Sequence, residues 1–550
     1  MRKSIAAVLW CTLAVFSSKA QTEEGPYVKP KLVVGIVVDQ MRYDYITRFW
    51  EKYGNDGIRR LVNDGYNCRN NHYNYVPTYT GPGHTSVYTG TTPAIHGIIA
   101  NDWYDKELDQ MVYCAQDDSM ESVGTASDAG KMSPHRMKTT TVTDQLRLAT
   151  ELRGKVIGVA LKDRGAILPA GHAANAAYWF HGKDEGKWIT SSYYMKELPE
   201  WVEKFNTSGK AKSYVKTWNT LYDIETYAES GPDDNAYEGP FKGEKAPVFP
   251  HELKKIMKNN GGYDILKSVP YGNSMTVDFA LAAIEGEALG QDDITDFLAV
   301  SFSATDYVGH RFGVNSKEVQ DTYLRLDKDI ARLLSELDEK VGKGEYTVFL
   351  TADHAAVQVP SYLQSLKIPA GYFDQLNFTL HMKNFAKEKY GVDGLISNIS
   401  NFQIFIDHKV AGDNKLRIRD LQDDFVEEVM KYKDVEKAFA AHVFTEAEFN
   451  ERITGLLQRG YNQKRSGDVL YVLAPAVISY PKTGSTHGSA LNYDTHTPLL
   501  FFGKGIRKGK STVEETHIND IAPTIAALLG IAFPSGTTGY PVHQALITED

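Results

Sequence analysis

Four short runs of β-branched and aromatic residues each stop abruptly at side chains able to hold a metal or an anion. This repeated ending constrains the fold more than any other feature of the chain. Leu32-Val33-Val34-Gly35-Ile36-Val37-Val38 runs into Asp39, Phe297 to Ser303 leads to Asp306, and Tyr346 to Leu350 leads to Asp353-His354. A fourth run, Val156 to Leu161, leads to Lys162-Asp163-Arg164. Apolar runs of this kind read as strands buried on both faces. Open α/β sheets place ligands beyond the carboxyl ends of parallel strands, so the four exits can converge on one site.

Between the runs the pattern turns helical. Val319, Tyr323, Leu326, Ile330, Leu333 and Leu337 recur at three and four residues, as one buried helical face requires. Near the end, Asp520-Ile521-Ala522-Pro523 supplies a helix start with proline in the first turn, and Gly530 a stop. The alternation from residue 31 onward predicts an α/β fold, a mostly parallel central sheet flanked by helices. Stretches at about 170–270 and 370–475 fit that rhythm poorly and read as two large insertions in one catalytic domain, 21–550. Within the first, Tyr178-Trp179-Phe180 reads either as packing or as the lining of a substrate entrance.

Residues 1–20 pair Arg2 and Lys3 with an apolar run from Ile5 to Phe16 and reach Ser18-Lys19-Ala20, the pattern of a signal peptide cleaved after Ala20. The run is shorter than the roughly 20 residues of a spanning helix. Cys11 follows Trp10, where lipid attachment needs a small residue. Export is expected, to a periplasm first, with the cell surface or the medium as other destinations. No transmembrane segment is expected in the mature chain. Loss of Arg2, Lys3 and Lys19 moves the formal charge from -10 to -13. That acidity disfavours nucleic acid as the main partner, while metals or a local group of cations can still attract a small anion. Cys68 and Cys114 remain after cleavage, and an oxidising compartment permits one disulfide between them.

Carboxylates and imidazoles together suit zinc, and two such clusters can clamp both oxygens of an in-line phosphoryl displacement. Asp306 and His310, four apart, share a face if a helix starts after the strand. Asp353-His354 can both turn inward from a loop, and His487 lies in Gly484-Ser485-Thr486-His487-Gly488-Ser489, with His496 as a rival ligand. Each fragment also has an ordinary reading, as a surface pair, a loop cap or a flexible turn. Pro77-Thr78-Tyr79-Thr80-Gly81-Pro82-Gly83-His84 precedes a helix start, a good place for an anion-binding hydroxyl.

That segment resembles the P-T-x-T-x-P-x-H nucleophile motif of the alkaline phosphatase superfamily, especially its nucleotide pyrophosphatase/phosphodiesterase-like branch. Asp39, Asp306-Tyr307-Val308-Gly309-His310, Asp353-His354 and His487-Gly488 follow the order of that family's ligands, and Asp520 to Thr524 resembles its closing helix. The resemblance implies an alkaline phosphatase-like sandwich with two Zn2+. Asp39, Asp353, His354 and Thr80 would surround one ion, and Asp306, His310 and His487 the other, leaving His496 a bystander. It also implies attack by Thr80 on phosphorus, a phosphothreonine, and hydrolysis by water activated at the second zinc.

Asn101 and Lys162-x-Arg164 narrow the substrate. Residues two apart on an extended chain point the same way, so Lys162 and Arg164 would meet the extra charge and oxygen of a phosphate monoester while Asp163 turns away. The set is similar to that of periplasmic phosphate-irrepressible alkaline phosphatases (PafA type), which implies hydrolysis of small phosphate monoesters. A sulfatase needs an oxidisable Cys or Ser in a C/S-x-P-x-R block, and Thr80 to His84 supplies neither that residue nor the Arg. A phosphodiesterase of the same superfamily and an exported, metal-stabilised binding protein stand as the alternatives.

Overall fold

A computed structural model describes residues 29–450 and 452–547; the signal-peptide reading of residues 1–20 lies outside them. The four apolar runs form neighbouring strands of one ten-stranded sheet: Tyr346–Thr351, Leu32–Val38, Asp296–Phe302 and Val156–Ala160, all parallel. The register sets Val38 beside Phe302, so Asp39 and the residues after Phe302 leave the sheet at one edge. Ala176–His181 extends this parallel block, and Lys187–Ser191 and then Ser122–Val123 follow as antiparallel pairs. On the other side Leu499–Gly503 runs antiparallel beside Tyr346–Thr351, and Tyr66–His72 and Lys510–His517 complete the sheet.

Both faces are covered, which is why the central strands are apolar throughout. Val34, Ile36, Leu298 and Val300 face one core, closed by the helices Tyr271–Gly286 and Lys317–Leu337. Val33, Val37, Phe297 and Ala299 face the other, closed by Thr80–Thr89, Val142–Ala149 and Ile521–Leu529. All six apolar positions of the expected long-helix stripe are buried, and Ser316 caps its start by accepting from the Val319 amide. The last helix begins after a 3₁₀ turn, Ile518–Asp520, whose Asp520 carboxylate accepts the His517 and Tyr540 amides; Gly530 ends it at φ 59°.

The boundaries of the proposed insertions need one correction. Residues 176–191 belong to the central sheet, and Tyr178, Trp179 and Phe180 are buried in it. Tyr178 packs edge-on against Trp201 and Phe279, so this aromatic run is packing and lines no entrance. The second stretch carries a separate four-stranded sheet of Ile396–Ser400, Gln403–Ile406, Val469–Leu473 and Val435–Ala440, with its own apolar core. Cys68 and Cys114 are both free and lie in different cores, so the permitted disulfide does not form.

Gly35 lets the helix that begins at Thr80 reach the sheet. Its carbonyl accepts the Tyr88 hydroxyl at 3.3 Å, and a Cβ there would collide with that hydroxyl and with the Phe349 ring. Overpacking in a filled core costs about 1–3 kcal/mol. Gly35→Ala is therefore expected to lower stability by roughly that amount, read as a shift in the urea midpoint. An unchanged midpoint would show that Tyr88 can yield.

Candidate active site

Strand exits deliver the charged groups, and two helices and two loops deliver the rest. Asp39 follows Leu32–Val38 directly, while Asp306 and His310 share the helix Ala304–Phe312, as the four-residue spacing requires. Asp353 and His354 lie in the loop after Tyr346–Thr351, and His487 comes from the loop that returns from the four-stranded module. Two triads result, Asp39 with Asp353 and His354, and Asp306 with His310 and His487; within each the ligand atoms lie within 4.8 Å of one another. The triads abut, because the His354 and His487 rings stack at 3.4 Å. His496 lies outside both, stacked between Tyr43 and His72.

The donor atoms fit divalent cations. Each imidazole holds its Nδ1–H against a backbone carbonyl, His310 on Ser485 at 2.7 Å, His487 on Thr78 at 2.6 Å and His354 on Ala355 at 3.1 Å. A carbonyl only accepts, so in the neutral ring each Nε2 is left with a lone pair, as in a metal-ligating histidine. At His310 burial opposes the charged form, but Asp306 outweighs it, raises the pKa and favours an ion pair there when no metal is bound. Those Nε2 atoms face carboxylate oxygens: His310 is 3.1 Å and His487 3.8 Å from Asp306, and His354 is 3.5 Å from both Asp39 and Asp353. Among the described residues, the buried Asp39 Oδ1 and Asp353 Oδ2 have no hydrogen-bond partner. Neutral imidazole lone pairs facing carboxylate oxygens in a buried site would be satisfied by a cation between them.

Electrostatics agree. Burial first, and then Asp306, pushes Asp39 up to about 6, and burial with Asp39 beside it holds Asp353 well above the carboxylate range. Burial also opposes ionisation of Asp306, but His310 and Lys162 outweigh it and hold this group well below that range. Burial and His310 push His487 down to about 3; burial and His487 hold His354 well below the usual value.

Thr80 is the first residue of the helix Thr80–Thr89 and 1 % exposed, with its Oγ1 3.5 Å from His354 Nε2. The dipole of the helix start suits an anion, although the Gly81 and Gly83 amides are taken up by Asn101 and the Tyr79 carbonyl and Pro82 has no N–H. Asn101 steadies the turn, its Oδ1 accepting the Gly81 amide at 2.7 Å. Gly83 allows the helix to lie on the Asp353 backbone, which a Cβ would strike.

Lys162 and Arg164 do not lie on extended chain. The strand ends at Ala160 and the helix Asp163–Ala170 starts at once, with Lys162 at its N-cap and Arg164 in its first turn. Lys162 Nζ bridges the triads, 2.6 Å from both Asp39 Oδ2 and Asp306 Oδ2. Arg164 donates to the Tyr113 hydroxyl at 3.1 Å, and Tyr113 in turn donates to Asp163. Asp163 thus joins the Arg164 network, because a helical turn and not a pleat sets its direction.

Three contributors escaped sequence reading. Gln40 donates its side-chain amide to Asp306 at 2.6 Å and its backbone amide to Asp353 at 3.1 Å, from a left-handed conformation with φ 64°. His84 pairs with the Thr80 carbonyl at 3.0 Å and Ser301 at 2.8 Å, and Tyr307 lies 5.1 Å from Lys162 Nζ. His84 stands in the quoted motif; Gln40 follows Asp39 with no pattern to mark it.

Residues 33–497 match the model of the type I phosphodiesterase / nucleotide pyrophosphatase family. The chain is 47% identical to alkaline phosphatase PafA of Elizabethkingia meningoseptica, over 94% of its length and 95% of the relative's. It is equally identical, with the same coverage, to a protein of Myroides odoratus named calcium-transporting ATPase. Alkaline phosphatase PhoV of Synechococcus elongatus is 44% identical over 98% of both chains. The crystal structure of wild-type alkaline phosphatase PafA superimposes with a TM-score of 0.91 at 46% identity, covering 94% of this chain and 99% of that one.

Removing Lys162 leaves the buried Asp39 and Asp306 carboxylates without their shared ammonium, and breaking a buried pair this way costs about 3–5 kcal/mol. Metal-stripped Lys162→Met is expected to unfold with a loss of that order, and added zinc should recover most of it. Equal stability of the two stripped proteins would mean that Lys162 is not what offsets the acids.

Proposed function

The chain belongs to the type I phosphodiesterase / nucleotide pyrophosphatase family, as an alkaline phosphatase of PafA type. From that premise we propose that this phosphomonoesterase works through a two-zinc centre and a phosphothreonine at Thr80. The observation that carries the reading is the pair of adjoining Asp/His triads around the Thr80 hydroxyl at a helix start. Asp39, Asp353, His354 and Thr80 would hold one ion and Asp306, His310 and His487 the other. Bound there, the ions supply Lewis acidity that lowers the pKa of a coordinated hydroxyl and neutralises phosphoryl charge.

The residues then divide the work. Thr80 Oγ1 attacks phosphorus, the new Oγ1–P bond replaces the ester P–O bond, and the alcohol leaves with a proton. Water next cleaves the Oγ1–P bond, releasing inorganic phosphate and restoring the hydroxyl. Asn101 holds the first turn that carries the hydroxyl and so keeps it in register with the phosphoryl group. Lys162 and Arg164 favour the extra free oxygen of a monoester; for Lys162 this means sharing its ammonium between Asp39, Asp306 and the substrate. Small phosphate monoesters are the proposed substrates, with an exported, periplasmic enzyme as the proposed setting. Among the described residues no helix is long and apolar enough to cross a membrane.

A metal-replete assay on a phosphate monoester, a phosphodiester and a sulfate ester tests the reading, and the monoester should be turned over fastest. Thr80→Ala is expected to keep its metal content while losing monoester turnover by orders of magnitude, and acid-quenched wild type should carry phosphate on Thr80. Phosphate on another residue, or near-normal turnover by the variant, would refute the nucleophile. Each lost charge-assisted contact is worth roughly 1.5–3 kcal/mol. Lys162→Ala/Arg164→Ala should therefore depress kcat/KM for the monoester far more than for the diester, at unchanged metal occupancy. Parallel losses would assign the two cations to general phosphate binding.

A further inference from the structure

A cavity of about 390 Å3 opens between the catalytic loops and the inserted four-stranded sheet. Its catalytic-side wall includes Tyr79, the chain neighbour of Thr80, and His487, a ring of the Asp306 triad. Its far wall comes from the insertion, with Phe402, Tyr471 and Leu473 among its apolar side chains. No lysine or arginine occurs among the described residues that line it. Two polar atoms of lining residues, Asp494 Oδ1 and Ser400 Oγ, have no hydrogen-bond partner among the described residues.

We propose that this cavity is the leaving-group subsite and that it selects monoesters of uncharged aromatic alcohols. The inference rests on the phosphatase reading and adds the substrate class. Continuity supports it, since a group filling the cavity lies against the residue next to the nucleophile and against a ring of the metal centre. Size agrees, because pockets of a few hundred Å3 enclose a bicyclic ring system. Charge decides between leaving groups. An anionic one, such as the remaining phosphates of a nucleoside triphosphate, would be desolvated beside Asp494 with no cation to pair with it, whereas an aromatic alcohol gains contact with the apolar wall. Asp494 and Ser400 can serve hydroxyl or amino substituents on the ring.

The test compares 1-naphthyl phosphate with ethyl phosphate in the zinc-loaded enzyme. Ala474 lines the cavity, is half-buried and lies outside the catalytic set, so Ala474→Phe partly fills the space. This variant should lose about tenfold in kcat/KM for the naphthyl ester while ethyl phosphate turnover stays within about twofold. Phe402→Ala, which removes a wall without adding bulk, should weaken the naphthyl ester selectively as well. Retained ethyl phosphate turnover shows that each variant is folded. Equal losses on both esters, or none on either, would overturn the proposal. Binding of 1-naphthol, measured by calorimetry, is expected for the wild type and not for Ala474→Phe; equal binding to both would also overturn it. A wild type that binds 1-naphthol but hydrolyses neither ester would sink the phosphatase reading and leave the naphthol comparison to decide the cavity.

Discussion

Everything in this active site follows from setting three buried carboxylates beside one another at the ends of adjacent parallel strands. Asp39, Asp306 and Asp353 are each at most 3 % exposed, and water cannot screen them there. Such a group is tolerable only if protonated, hydrogen-bonded or paired with positive charge. The surroundings supply each remedy in part. Lys162 shares its ammonium between two of the acids, Gln40 donates to Asp306 and Asp353, and three imidazoles are held with their lone pairs turned inward. What these groups leave unsatisfied suits bound metal cations.

The strand exits were legible because a buried parallel strand has to be apolar on both faces, which makes the polar residue that ends it conspicuous. The Asp306–His310 pair was legible because a four-residue spacing already implies a helical face. What stayed hidden depended on partners distant in the chain. Leu499–Gly503 is as apolar as its parallel neighbours, and nothing in its composition says that it runs the other way. The strands Ala176–His181 and Lys187–Ser191 were mistaken for insertion because aromatic residues pack equally well in a sheet core and in an added module. Lys162 and Arg164 were assigned strand geometry because the chain turns from strand to helix within two residues and has no capping signature there. Gln40 is visible only through its contacts and its left-handed backbone.

Thr80 is placed with comparable economy. The helix that begins at Thr80 is held at its first turn by Asn101, on its flank by the Asp353 backbone at Gly83, and further along by Tyr88 on Gly35. Two of these contacts bind it to the strand that delivers Asp39 and to the loop that delivers Asp353. The Thr80 hydroxyl and the acids are therefore held by one connected scaffold, as fixed relative placement requires.

The separate four-stranded module stands in the chain between Asp353-His354 and His487, and this order has a consequence for biosynthesis. Chains emerge from the ribosome N-terminus first, and their early parts begin to fold before the later ones exist. A chain that has just passed His354 already holds the complete Asp39 triad, yet its Asp306 triad lacks a ring until the whole module and the loop behind it have been made. The Asp39 triad is thus complete in the chain more than a hundred residues before the Asp306 triad. Because metal affinity adds to folding free energy only where the ligand set is complete, an ion held by the Asp306 triad would stabilise the fold only after His487 had been made.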